Sequence, residues 1–209
     1  MSETNVPALY ENDGFDPLSP TDQVIIGARL KFIDGKWSAD GVELPSGTKL
    51  LAFATDTILQ RWRGQEAETI RDKPLPDPDE LNAAIPKSEW ELDLNGEPRP
   101  PWAYTFVVYL LDAGTAEKFT FINSTVGAKI AVRQLQDRVA SMRMLRDAHM
   151  IAEIELTNRP MKTRYGQKLR PHFHILPDGW RQVGRAKTPK LTQASEPTAA
   201  EEMGDEIPF

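Results

Sequence analysis

The chain has 209 residues and ordinary apolar and charged fractions, enough for one well-buried domain with irregular ends and short for two. No run approaches the roughly 18 to 20 apolar residues of a membrane helix, the opening Met-Ser-Glu-Thr-Asn lacks the charged and apolar regions of a signal peptide, and the absence of cysteine excludes disulfides, thiolate zinc sites and cysteine nucleophiles. The net charge of −6 would count against a polyanionic partner if it were evenly spread, and it is not.

Residues 1–22 hold Pro7, Pro17, Pro20, Asn12 and Gly14 with little periodicity and read as an irregular arm. From Val24 to Ile33 the chain alternates, with Ile26, Ala28, Leu30 and Phe32 on one face and Gly27, Arg29 and Lys31 on the other. That period of two predicts a half-buried strand with basic groups outward. Asp34-Gly35 supplies a tight turn, Leu44-Pro45-Ser46-Gly47 a second, and Leu50 to Trp62 reads as another strand. The segment 65–101 carries seven prolines (Pro74, Pro76, Pro78, Pro86, Pro98, Pro100 and Pro101), which argue against long regular elements and predict a long insertion lying over the core. One short helix fits within it: Asp77 caps, Pro78 suits the first helical position, and Glu80 completes a capping box.

Trp102 to Asp112 is aromatic and β-branched and reads as a buried strand; Ala113-Gly114 turns the chain, and Ala116 to Ser124 returns as the second arm of a hairpin. Ser124 or Thr125 then caps the one long helix, about 126–146. On it Ala128, Ala131, Leu135, Val139 and Met142 recur at spacings of three and four, while Lys129, Arg133, Arg138 and Arg143 lie mostly off that face. Met150 to Leu156 alternates again, Tyr165-Gly166-Gln167 marks a turn between basic flanks, and Phe173 to Leu176 reads as a last short strand. From Gly184 onward the chain is polar with interspersed proline and reads as disordered. The elements predict a mainly β (α+β) fold: an oligonucleotide-binding (OB)-like, partly open β-barrel over 23–183, with one long helix and a Pro-rich insertion. Other α+β layouts use the same elements.

Charge is segregated toward the end of the chain. Arg159, Lys162, Arg164, Lys168, Arg170, Arg181, Arg185, Lys187 and Lys190 are opposed only by Asp178, whereas 191–209 holds Glu196, Glu201, Glu202, Asp205 and Glu206 with no Lys or Arg. The sequence closes with Met203-Gly204-Asp205-Glu206-Ile207-Pro208-Phe209. This resembles the C-terminal tip of bacterial and phage single-stranded DNA-binding proteins, which end in acidic residues followed by Ile-Pro-Phe; the body is similar to divergent phage or prophage proteins. Phe209 and Ile207 offer apolar anchors, Pro208 limits the entropy lost on docking, and Asp205 and Glu206 steer toward basic surfaces. The resemblance implies recruitment of DNA-processing proteins (a nuclease, helicase, primase or polymerase) through residues 205–209. It also implies a role in replication, recombination and repair in the bacterial cytoplasm or nucleoid, and competition between the acidic tail and DNA. A solubility tail is the plainer alternative. No DNA-contact residue is carried over through the tip.

Holding a single strand without sequence preference takes cations for phosphates and flat rings for bases. The densest combination is Arg159, Lys162, Arg164, Tyr165, Lys168 and Arg170, with Arg61-Trp62-Arg63 next and Arg29 and Lys31 contributing from an outward strand face. A solvated basic hairpin, and core packing for Trp62, Phe119 and Phe121, are the alternatives. Enzyme readings have little to stand on. His172 and His174 share a strand side without an evident third metal ligand, Glu153 and Glu155 faintly suggest a metal-dependent nuclease, and no phosphate-cradling Gly-rich loop is present. We therefore expect a non-enzymatic protein with no cofactor or metal, no membrane partner and room for a homo-oligomer. The competing expectations are an adaptor that presents the tip without binding DNA, and the nuclease.

Overall fold

The computed structural model describes residues 23–63, 66–92, 96–163 and 166–182. The arm 1–22 and the tail 184–209 lie outside them, as do Arg164, Tyr165 and the tip residues Asp205, Glu206, Ile207, Pro208 and Phe209.

Strand β1 (Ala28–Ile33) turns into β2 (Lys36–Ala39) through Asp34 and Gly35, whose φ values of 50° and 85° give the two-residue turn that matches the twist of paired strands. β1 starts later than Val24 because Gly27 breaks the alternation. Its φ is +69°, and a Cβ there would meet the Lys118 carbonyl oxygen at 1.9 Å. The kink sends Ile26 to the face opposite Ala28, Leu30 and Phe32, where its N–H donates to Thr120 Oγ1 (2.8 Å) and its carbonyl accepts from the same hydroxyl (2.7 Å). β3 (Val42–Glu43) adds a short edge, and β4 (Lys49–Arg63) runs longer than the expected strand.

Within the Pro-rich insertion a strand that the prolines did not foretell, β5 (Glu66–Ile70), pairs with the end of β4. Helix α1 (Pro78–Ala83) forms where expected, with the Asp77 carboxylate accepting from the Asp79 N–H and proline in the first turn. Its Asn82 accepts from the Trp102 N–H (2.8 Å) and donates to the Trp102 carbonyl (3.0 Å), fastening the insertion to the sheet. β6 (Trp102–Leu111) and β7 (Lys118–Asn123) are the expected hairpin, and α2 (Val126–Leu145) starts at the Thr125 cap. β8 (Met150–Thr163) and β9 (Gly166–Gln182) make a long second hairpin. The short strand expected at Phe173 to Leu176 is thus 17 residues long and contains Pro171 and Pro177. It lies at the sheet edge, paired only with β8, where a missing N–H costs no ladder bond.

The order is β3-β2-β1-β7-β6-β4-β8-β9, with β5 beside β4, and every pairing is antiparallel except β1 with β7. The protein is mainly β, and the sheet is strongly curled into an open half-barrel. β4 makes the bend: its start pairs with β8, most of it with β6, and the register shifts between Ala52 and Ala54, as at a bulge. The face under α2 holds the main core, in which the Trp37 ring sits 5.0 Å from Phe32, 5.3 Å from Phe121 and 5.6 Å from Phe173. Its indole N–H donates to the Thr157 carbonyl (2.9 Å), while Asn158 Nδ2 donates to the Gly35 carbonyl (3.0 Å); the β1–β2 turn so reaches β8. The opposite face carries a smaller cluster, Ile58, Val107, Tyr109 and Ile122, covered by Val24, Ile26 and Phe53.

Candidate nucleic-acid interface

The end of β4 extends past its last pairing with β6, at Arg61, and there only β5 flanks it. Trp62, opposite Ala67, is accordingly 45% exposed. Two grooves meet at this ring. One, of about 780 Å³, is lined by Arg29, Gln60, Arg71, Asp72 and Ile122 as well as Trp62; the other, of about 440 Å³, by Arg61, Arg63, Arg99, Glu89, Glu91 and Ser124 with Trp62, so cations and carboxylates share both walls. Arg29 reaches the first from β1, with its Nε buried and lacking a hydrogen-bond partner. Asp56, also in that groove, is held by Arg71 (3.5 Å) and Lys73 (3.1 Å), and Arg63 pairs with Glu68 across the β4–β5 hairpin (3.5 Å). These exposed or half-exposed pairs contribute little to stability and yield readily to a competing anion.

The β8–β9 hairpin carries the second basic group. Lys162 stands opposite Gln167 and Lys168 opposite Met161, and both lysines are exposed. A third groove, of about 430 Å³, is lined by Lys168, Arg170 and Met161 of this hairpin, by Thr125 and Gly127 at the start of α2, and by Phe32 and Asp34 of the β1–β2 turn. Arg170 departs from its expected place on the outer surface. It is 8% exposed, and its guanidinium donates to the Pro171 carbonyl (3.2 Å) and to Gln134 Oε1 of α2 (3.3 Å). Burial, and next the charge of Arg159 directly opposite, lower its pKa. Gly127 lets α2 come this close, since a Cβ there would meet Arg170 Cβ at 2.9 Å.

Residues 122–125, from the end of β7 to the cap of α2, contribute to all three grooves. Ile122 lines the first, Ser124 the second, and Asn123 and Thr125 the third. Arg29, Arg61, Trp62, Arg63, Lys168 and Arg170 therefore border neighbouring depressions although they are far apart in sequence. Exposed Lys31 lines none of these grooves, and Arg159 and Lys162 flank the third on β8. Arg71 and Arg99, which sequence reasoning passed over, belong to the surface; only their position in a folded-back insertion reveals it.

Phe119 and Phe121 are buried in the main core. His172 is buried and His174 half-buried, with ring centroids 6.2 Å apart, and among the described residues no group of three or more His, Asp or Glu side chains is placed to hold a metal ion. Glu153 is engaged by Arg181. No helix among the described residues is long and apolar enough to cross a membrane. Compared with protein-family models, with curated proteins and with solved structures, the chain matches none.

Proposed function

We propose that this protein binds single-stranded DNA without sequence preference and performs no chemistry on it, serving replication, recombination or repair in the bacterial cytoplasm. One observation carries this: an exposed indole, Trp62, stands where two grooves meet, with Arg29, Arg61, Arg63, Arg71 and Arg99 around it. Stacking on a ring while cations track the backbone is how unpaired nucleotides are held whatever their sequence. The strand order adds support. β4, β6 and β7 form a meander, α2 follows, β8 returns to pair with β4, and β9 pairs with β8. An OB barrel is built in this way, and its binding surface includes the loop between the first two strands and the loop between the last two. On that reading the corresponding segments would be the one with Arg61, Trp62, Arg63 and Arg99 and the one between Lys162 and Lys168. The acidic-apolar residues 205–209 recruit DNA-processing partners, and a homo-oligomer is compatible with this arrangement.

Gel shifts with single-stranded and duplex oligonucleotides test the reading. Trp62→Ala should weaken single-strand binding by about 1–3 kcal/mol, roughly 5- to 150-fold, and removal of residues 207–209 should leave affinity intact while abolishing partner capture. Unchanged affinity in the Trp62 variant, or equal affinity for duplex, would overturn it.

A further inference from the structure

Cations gather where α2 lies along β9, and among the described residues no carboxylate forms an ion pair with them. Arg159 and Arg170 stand directly opposite each other on β8 and β9, an arrangement of like charges that destabilises a strand pair. Gln134, the partner of Arg170, is one helical turn before Arg138 on the same side of α2. Among the described residues, neither Arg138, Arg159 nor Arg170 forms an ion pair with an acid. Behind them His172 is 6% exposed, and neither ring nitrogen has a hydrogen-bond partner. The charges that act on this imidazole are all positive: Arg159 from β8, Arg170 and His174 from β9, and Arg138 from α2. Buried polar atoms without partners cost free energy, and so does uncompensated like charge.

We infer that this seam binds a phosphate oxyanion, either a phosphodiester of a nucleic-acid backbone or free phosphate, through Arg138, Arg159 and Arg170 with His172 behind them. Three guanidinium groups contributed by two strands and a helix suit a tetrahedral anion, with acceptors on every side, better than a planar carboxylate. The anion offsets the repulsion between the arginines and favours a protonated His172, whose pKa burial and then the surrounding cations hold at about 4. By linkage, binding raises that pKa and strengthens as pH falls through the range in which His172 takes up its proton. The free-phosphate form stands by itself; the backbone form rests on the single-strand reading above.

The test follows the His172 ring by NMR from pH 7.5 to 3.5 in the full chain at low ionic strength. Inorganic phosphate, an abasic oligodeoxynucleotide and an ordinary single strand are the probes, with chloride at matched ionic strength as control. At least one phosphate-bearing probe should raise the His172 midpoint by a pH unit or more. The double variant Arg138→Gln, Arg159→Gln, both at exposed positions, should abolish the rise and weaken binding of that probe tenfold or more. A rise with the abasic strand alone assigns the anion to a backbone, and one with inorganic phosphate alone assigns it to the free ion. The inference falls if no probe moves His172, if chloride moves it equally, or if the double variant keeps the rise. An ordinary strand that binds while neither it, the abasic strand nor inorganic phosphate moves His172 sinks this site and spares the single-strand reading; phosphate that moves His172 in a protein no strand binds does the reverse.

Discussion

At Trp37 the indole is 5% exposed, wedged among three phenylalanines with its N–H on a β8 carbonyl; at Trp62 the same ring is nine times more open and borders two grooves. In sequence both sit beside cations in alternating segments, so composition does not separate them. What separates them is where a neighbouring strand stops: β6 ends its pairing at Arg61, one residue short of Trp62. Arg170 shows the converse, a cation in a basic run that the approach of α2 at Gly127 turns inward. His172 carries a testable consequence. Its pKa falls from the ordinary 6.5 to about 4 in the folded chain through burial and the neighbouring cations. Between those values the unfolded chain binds the extra proton and the folded chain does not, so the contribution of His172 to stability is complete above 6.5 and is lost as pH falls toward 4. Urea midpoints measured from pH 7 to 4 should therefore decline more steeply in the native chain than in His172→Asn; equal declines would refute the shift.

The elements that local pattern specifies alone were legible in the sequence: the β1–β2 turn, the β6–β7 hairpin, α1 with its Asp77 cap and α2 with its apolar stripe. Those that depend on a partner far along the chain were not. β5 exists because the end of β4 offers it a free edge, and β9 tolerates Pro171 and Pro177 because it is itself an edge. Ile26 fits the period-two pattern, yet Gly27 rotates it onto the other face of the sheet. The insertion is held by one side chain that no periodicity picks out. Asn82→Ala removes both hydrogen bonds to the Trp102 backbone and leaves a buried N–H and carbonyl unpaired, at about 1–3 kcal/mol for each group. Chemical denaturation should show a loss of about 2–6 kcal/mol; a loss below about 0.5 kcal/mol would mean that the insertion is held otherwise.

Across the whole molecule the sum of charge misleads, because a chain of net charge −6 folds so that cations from β1, the β4–β5 hairpin, the insertion and the β8–β9 hairpin border neighbouring grooves. The basic run Arg159 to Arg170 and the triplet Arg61-Trp62-Arg63 were visible as candidates in the sequence; their relation was not, since it depends on β4 bending at Ala52 and on the β1–β2 turn reaching β8. A surface that holds unpaired nucleotides through phosphate contacts must release counterions when it binds. The most direct test is a fluorescence titration of the full chain with a single-stranded oligonucleotide over a series of salt concentrations. With about four to six cations engaged, the logarithm of the association constant should fall against the logarithm of salt with a slope of about −3 to −4, and Lys162→Ala with Lys168→Ala should flatten that slope by about 1.4. Affinity that is absent at low salt, or indifferent to salt, would contradict the account.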